Sequence, residues 1–142
     1  MKKFQLLLLV GMFLICADAL LYAQEKYTAR QLTSDPAQDG FPSWYPDGNA
    51  LVHSRFSWKD SLGRNGIWRI NIDNSESEQV FSGIAEHPKL SPDGRRIVFD
   101  ADTGSSMRIV DADGGNPRKF IPDSIVIHNG GLPCWSPSGS HI

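Results

Sequence analysis

HPKLSPDGRRIVF, residues 87–99, sets a proline, a Ser-Pro-Asp-Gly run and an apolar triplet in that order. Pro92 presets φ for the second position of a type I turn, and Asp93 can bond back to the backbone. Gly94 then takes the left-handed conformation that a bulged three-residue hairpin needs. The flanking Lys89-Leu90 and Ile97-Val98-Phe99 read as two antiparallel strands joined by that turn. Pro88 reads as the entrance of the first strand, where a missing N–H costs little.

The same arrangement occurs twice more. Residues 41–52 read FPSWYPDGNALV and residues 132–142 read LPCWSPSGSHI. Pro42, Pro88 and Pro133 are separated by 46 and 45 residues, as are Pro46, Pro92 and Pro137, and Gly48, Gly94 and Gly139. Trp44 and Asp47 in the first copy, Ser91 and Asp93 in the second, and Trp135 and Ser136 in the third complete the motif. A period in the mid-forties is that of one four-stranded propeller blade. The remainder of each repeat agrees. Residues 67–73, IWRINID, align with 107–113, MRIVDAD, placing Ile70 opposite Val110 and Asp73 opposite Asp113. Asn74 and Gly114-Gly115 follow as turn residues, then short outer strands at 78–81 and 118–121. No segment after residue 23 carries an amphipathic helical period.

The expected fold is therefore all-β: a partial β-propeller of four-stranded antiparallel blades. About two and a half blades are present, where closed rings use roughly four to eight. Residues 29–33, ARQLT, resemble the outer strand that ends each repeat, the kind that completes a ring's last blade. Ile142 aligns with Ile97, so the sequence stops one residue into the third copy's second strand. A partial ring leaves strand edges open. The expectation is a fragment of a longer propeller, with a short chain that oligomerises into a ring as the alternative.

The N-terminus reads as export machinery. Lys2 and Lys3 precede the apolar run 4–15, and small-residue cleavage sites follow at Ala19 or Ala23. The run is short for a membrane span, so residues 1–23 are expected to be a signal peptide and 24–142 the propeller, without stable membrane insertion after cleavage. Cleavage removes Lys2, Lys3 and Asp18 and takes the formal charge from −2 to −3. That balance provides no basic footprint for nucleic acid; protein, peptide or saccharide partners fit it better. Cys134 is then the only cysteine, which excludes an internal disulfide and reads as a small buried apolar residue. The expected location is periplasmic or secreted.

At F-P-S-W-Y-P-D-G, H-P-K-L-S-P-D-G-R-R-I-V-F and L-P-C-W-S-P-S-G, with the Ile67–Asp73 pattern and the Asp111–Gly115 turn, the chain resembles the PD40 repeats, the WD40-like, TolB-like propellers. The resemblance implies a periplasmic or secreted binding platform. TolB-type proteins carry an α/β domain between signal peptide and propeller, whereas here only residues 24–28 intervene, so the resemblance extends to the propeller alone. The repeats also resemble the N-terminal propeller of prolyl-oligopeptidase-type serine peptidases and the propellers of oligogalacturonate lyases.

Catalytic signatures are missing from the sequence. There is no G-x-S-x-G elbow, H-E-x-x-H, C-x-x-C or phosphate loop. Ser136, Ser138 and Ser140 fall in the third turn motif. The acidic runs at 100–104 and 111–114 lack the further oxygen ligands that calcium requires. His53, His87, His128 and His141 are scattered, and ligation by any pair would need the ring to bring them together. No cofactor and no catalytic residue is expected. Recognition on propellers falls to loops on the rigid scaffold. The longest such loop, 57–66, offers Trp58, Lys59 and Arg64 as candidate partner contacts, beside the simpler reading of a solvated loop with Trp58 packed locally. The function expected is a non-enzymatic binding module. The alternatives are the propeller of a serine peptidase whose catalytic domain is absent here, and a lyase-like propeller.

Overall fold

A computed structural model describes residues 29–122 and 131–142; the signal-peptide segment 1–23 and His128 lie outside the described residues. The chain divides into residues 1–31, of which only 29–31 are described and carry no strand, and residues 32–142, which hold every strand. Among the described residues, eight strands form two antiparallel sheets. β1 (Gln38–Trp44), β2 (Ala50–Phe56), β3 (Gly66–Asn71) and β4 (Ser77–Ser82) pair in that order, as do β5 (Ala85–Leu90), β6 (Arg96–Ala101), β7 (Ser106–Asp111) and β8 (Arg118–Lys119). Each sheet is one propeller blade, and the fold is all-β as the repeat implies. Among the described residues there is no helix, hence none long and apolar enough to cross a membrane.

The three Pro-x-Gly turns share one geometry. Gly48, Gly94 and Gly139 have φ of 75°, 72° and 70°. Their N–H groups donate to the carbonyls of Tyr45, Ser91 and Ser136 at 2.9–3.0 Å. A second bond closes each turn, from Tyr45 N to Ala50 O, Ser91 N to Arg96 O and Ser136 N to His141 O. Asp47 and Asp93 accept from the N–H two residues on, Asn49 and Arg95. The third turn is complete, although no strand is formed within 131–142.

Pro42 and Pro88 do not stand at strand entrances but inside β1 and β5. The register jumps from Gly40↔Ser54 to Ser43↔Val52, and from Glu86↔Asp100 to Lys89↔Val98. Two residues thus oppose one in each first strand, which is a β-bulge. The bulge is where a residue without an N–H belongs in a ladder. Its cost falls on the preceding residue, because Phe41 and His87 have φ of 54° and 51°. Two outer-strand expectations also change. Residues 29–33 form no strand. The second outer strand shrinks to Arg118–Lys119, prolonged by one bond from Phe120 N to Met107 O.

The core lies between the blades. Val52, Ile67 and Val80 of the first meet Ala85, Leu90, Ile97, Phe99, Ala101 and Val110 of the second. Phe99 is fully buried, and its ring lies 4.7 Å from that of Phe81. Each of the larger side chains among them contributes about 1.5–3 kcal/mol by leaving water. Polar bonds fix how the repeats stack: Leu90 N donates to Ser43 Oγ, Tyr45 Oη to Ala112 O, and Trp135 Nε1 to Lys89 O.

Candidate functional site

The β2–β3 connection, the start of β1 and the start of β5 come together at one end of the blades, because each follows or precedes a strand terminus there. The 57–65 connection is tightly tied. Asp60 accepts the N–H groups of Arg64 and Asn65, Ser57 N donates to Asn65 Oδ1, and Trp68 Nε1 donates to Arg64 O. Those backbone bonds, Asn65 first, hold the Asp60 carboxyl below its ordinary pKa. The ties leave Trp58 92% and Leu62 70% exposed, with Trp58 standing edge-on to Phe56 at 4.8 Å. Arg64 is engaged by Asp35, so of the three loop residues named from sequence it is a structural cation. Lys59 is held through its backbone, its N–H donating to Ser57 Oγ and its carbonyl accepting from Ser61 N.

Beside the loop, the first blade carries a buried polar network. His53 and Arg55 are out of phase with Val52, so strand alternation turns them to the face away from the second blade. Arg55 Nε and Nη2 donate to the two carboxylate oxygens of Asp39 at 2.7 and 3.0 Å, and its guanidinium lies 4.7 Å from the Trp68 ring. Burial works to raise the Asp39 pKa, but hydrogen bonds from Arg55 and Thr33 and the nearby His53 outweigh it, leaving the carboxyl below its usual range. His53 is buried, with Nδ1 3.2 Å from Ser54 O and Nε2 lacking a partner among the described residues. Burial pushes its pKa down, opposed by Asp39. The positions that correspond in the second blade, 46 residues on, are Ala85, Phe99 and Ala101, all apolar and all in the core.

The bulged inner strands form the third part. Their left-handed residues meet across the blades, with the Phe41 and His87 rings 4.0 Å apart and tilted by 49°. His87 Nδ1 lies 2.9 Å from Asp100 Oδ1, and the Glu86 carboxylate completes a set whose donor atoms all fall within 4.8 Å of one another. Asp100 is buried, while Glu86 and His87 are half-buried. In the sequence His87 is one of four scattered histidines and Asp100 opens the acidic run 100–104, with nothing to join them. Only the β5–β6 register joins them. The Pro88 bulge was the one local sign that the chain is re-aimed here.

The repeat-motif residues hold turns and packing. Pro88 is buried within the bulge, Trp44 is exposed, and Trp135 is half-buried against the second blade, with Arg96 5.1 Å from its ring. A series of hydroxyls runs from Ser136 through Ser138 and Ser140 to His141 Nδ1, while Ser136 Oγ also accepts the His141 N–H that closes the turn. Cys134 is not a buried apolar residue. It is exposed, next to the buried Pro133.

No family profile matches the chain. Among curated proteins it is similar to the Tol-Pal system protein TolB of Francisella tularensis subsp. tularensis (strain WY96-3418), 30% identical over 83 residues, covering 57% of this chain and 18% of that one. It is also similar to the uncharacterized peptidase YuxL of Bacillus subtilis (strain 168), 28% identical over 108 residues, 71% of this chain and 16% of the relative. The chain thus spans less than a fifth of the length of either relative. Among solved structures, a protein assigned to TolB of Agrobacterium tumefaciens superposes with a TM-score of 0.62 at 27% identity, over 78% of this chain and 38% of that one. The fold is that of a TolB-like propeller. TolB of Acinetobacter baumannii (TM-score 0.57, 19% identity, 70% of this chain and 25% of that one) shares the fold. So does an oligogalacturonate lyase in complex with manganese (TM-score 0.59, 16% identity, 82% and 34%).

Proposed function

We propose that this TolB-like propeller is an exported, periplasmic or secreted module that works by binding rather than by catalysis. It would engage a protein or cell-envelope partner through the loop-bearing end of its blades. The observation that carries this reading is the 57–65 loop. Its backbone is fixed by Asp60 and Asn65, yet it holds a tryptophan almost wholly, and a leucine mostly, in water. Ordering such side chains before a partner arrives lowers the entropic cost of binding, and aromatic anchors dominate interface energies. Similarity to a protein named for the Tol-Pal system supports an envelope setting.

The test is site-specific photo-crosslinking in envelope fractions of the source cell, with the probe at position 58 or, as control, at the outer-strand position 78. One identified partner captured from position 58, absent from position 78 and lost in a Leu62→Ser background, is the expected outcome. Equal labelling from both positions would count against the loop as the binding element.

A second reading rests on the match to a peptidase over 71% of this chain. In that case the blades are part of a propeller that filters access to a hydrolase domain. A gene in which G-x-S-x-G, then Asp and His, follow the propeller would favour it over the first.

A further inference from the structure

We infer that Glu86, His87 and Asp100 form a binding site for one divalent cation of borderline softness, of which Zn²⁺ is the type. The three residues come from adjacent strands. Glu86 and Asp100 are direct cross-strand partners, and His87 occupies the bulge between the paired positions. Two carboxylates directly opposed on antiparallel strands repel. Asp100 is held by the His87 imidazole at 2.9 Å, and its side chain is only 8% exposed. An imidazole can offset at most one of the two negative charges. Among the described residues no hydrogen bond or ion pair engages the Glu86 carboxylate. A dication neutralises both acids and takes the imidazole nitrogen as its third ligand.

The geometry allows this with small movements. Donor atoms already lie within 4.8 Å of one another. Ligands about 2.0–2.2 Å from one tetrahedral zinc stand about 3.4 Å apart, so the widest pair has to close by at most roughly 1.4 Å, within reach of Glu86 side-chain rotation, and the His87–Asp100 pair at 2.9 Å to open by about 0.5 Å. A mixed nitrogen–oxygen set favours Zn²⁺ over Ca²⁺ and Mg²⁺, which prefer oxygen ligands alone. Three protein ligands leave at least one coordination position for water or for a group on a partner. The site is distinct from the 57–65 loop, so it stands whether or not that loop proves to be the partner-binding element.

The experiment is calorimetric titration of the purified protein with Zn²⁺ and separately with Ca²⁺, in a Cys134→Ser background that removes the exposed thiol. The variants are Glu86→Gln and His87→Asn. Asparagine is chosen because it tolerates the left-handed backbone at position 87. Thermal unfolding of each variant establishes that it folds. The expected result is one Zn²⁺ per chain, bound at least about 100-fold tighter than Ca²⁺, with affinity falling at least about tenfold in Glu86→Gln and about 100-fold in His87→Asn. The Co²⁺-loaded protein should show a visible absorption band that His87→Asn abolishes. No Zn²⁺ binding up to about 1 mM, affinities within about threefold of the parent in both folded variants, or Ca²⁺ binding as tight as Zn²⁺ would each overturn the assignment.

Discussion

Replacing Asp39 with alanine tests the polar face of the first blade. The substitution removes both oxygens that receive Arg55 Nε and Nη2 and leaves a guanidinium in a side chain only 6% exposed. What remains is Asp35 at 3.8 Å, beyond hydrogen-bond range, and the Trp68 ring. Removing one partner of a buried pair costs about 3–5 kcal/mol, because the surviving charge is uncompensated. Asp35 and Trp68 place the expectation at the lower end, about 3 kcal/mol, or a Tm decrease of at least roughly 12 °C for a domain of this size. The double variant Asp39→Ala/Arg55→Ala installs the residues found in the second blade, Ala85 and Ala101. It should lose less than the sum of the single variants by about 1–3 kcal/mol, since no charge is then orphaned. Urea denaturation followed by tryptophan fluorescence measures all three. A loss below about 1 kcal/mol for Asp39→Ala, or single-variant losses that simply add, would refute the argument that the pair is coupled and buried.

Two further expectations follow from the same geometry. His53 is held neutral by burial, so its folded pKa lies below its unfolded value of 6.5. The unfolded chain therefore binds more protons as pH drops through the mid-sixes, and stability should fall toward acid with a slope of at most about 1.4 kcal/mol per pH unit. Introducing the second blade's residue, His53→Phe, should flatten the stability–pH profile between pH 5 and 7, and an unchanged slope would assign the effect elsewhere. Gly66 pairs with Ser82 at a φ of 149°, and a β-carbon there would lie 1.8 Å from Phe81 O. Gly66→Ala should therefore cost more than about 2 kcal/mol by denaturant unfolding, the left-handed strain adding to the clash.

What could be read from the sequence was whatever is local. A Pro-Asp-Gly run carries its own φ preferences and hydrogen bonds, so the turns at 45–50 and 91–96, the pairing of Trp44 with Leu51, and the blade period were all legible. The bulges were harder. Proline at positions 42 and 88 fits a strand entrance as well as a bulge, and the difference lies in cross-strand register, which one strand alone does not encode. The metal-ligand set was beyond reach for the same reason: His87 and Asp100 are thirteen residues apart and meet only because β5 turns back on β6. The exposure of Trp58 follows from Asp60 and Asn65 pinning the loop, a pattern of side-chain-to-backbone bonds with no periodic signature.

A protein assembled from near-copies must also keep its copies in order. The turns are interchangeable, but the blade faces are not. The second blade shows Phe99 and Ala101 to its predecessor, whereas the first shows His53 and Arg55 at the corresponding positions. Were the first blade to slip into the second one's place, His53 and the Arg55–Asp39 pair would be pressed against Phe81 and Val80, where Phe99 and Ala101 belong. Both arrangements bury the pair, but only the native one keeps Asp35 beside the guanidinium and Phe99 against Phe81. The charged face thus works as an ordering mark, telling the chain which repeat comes first.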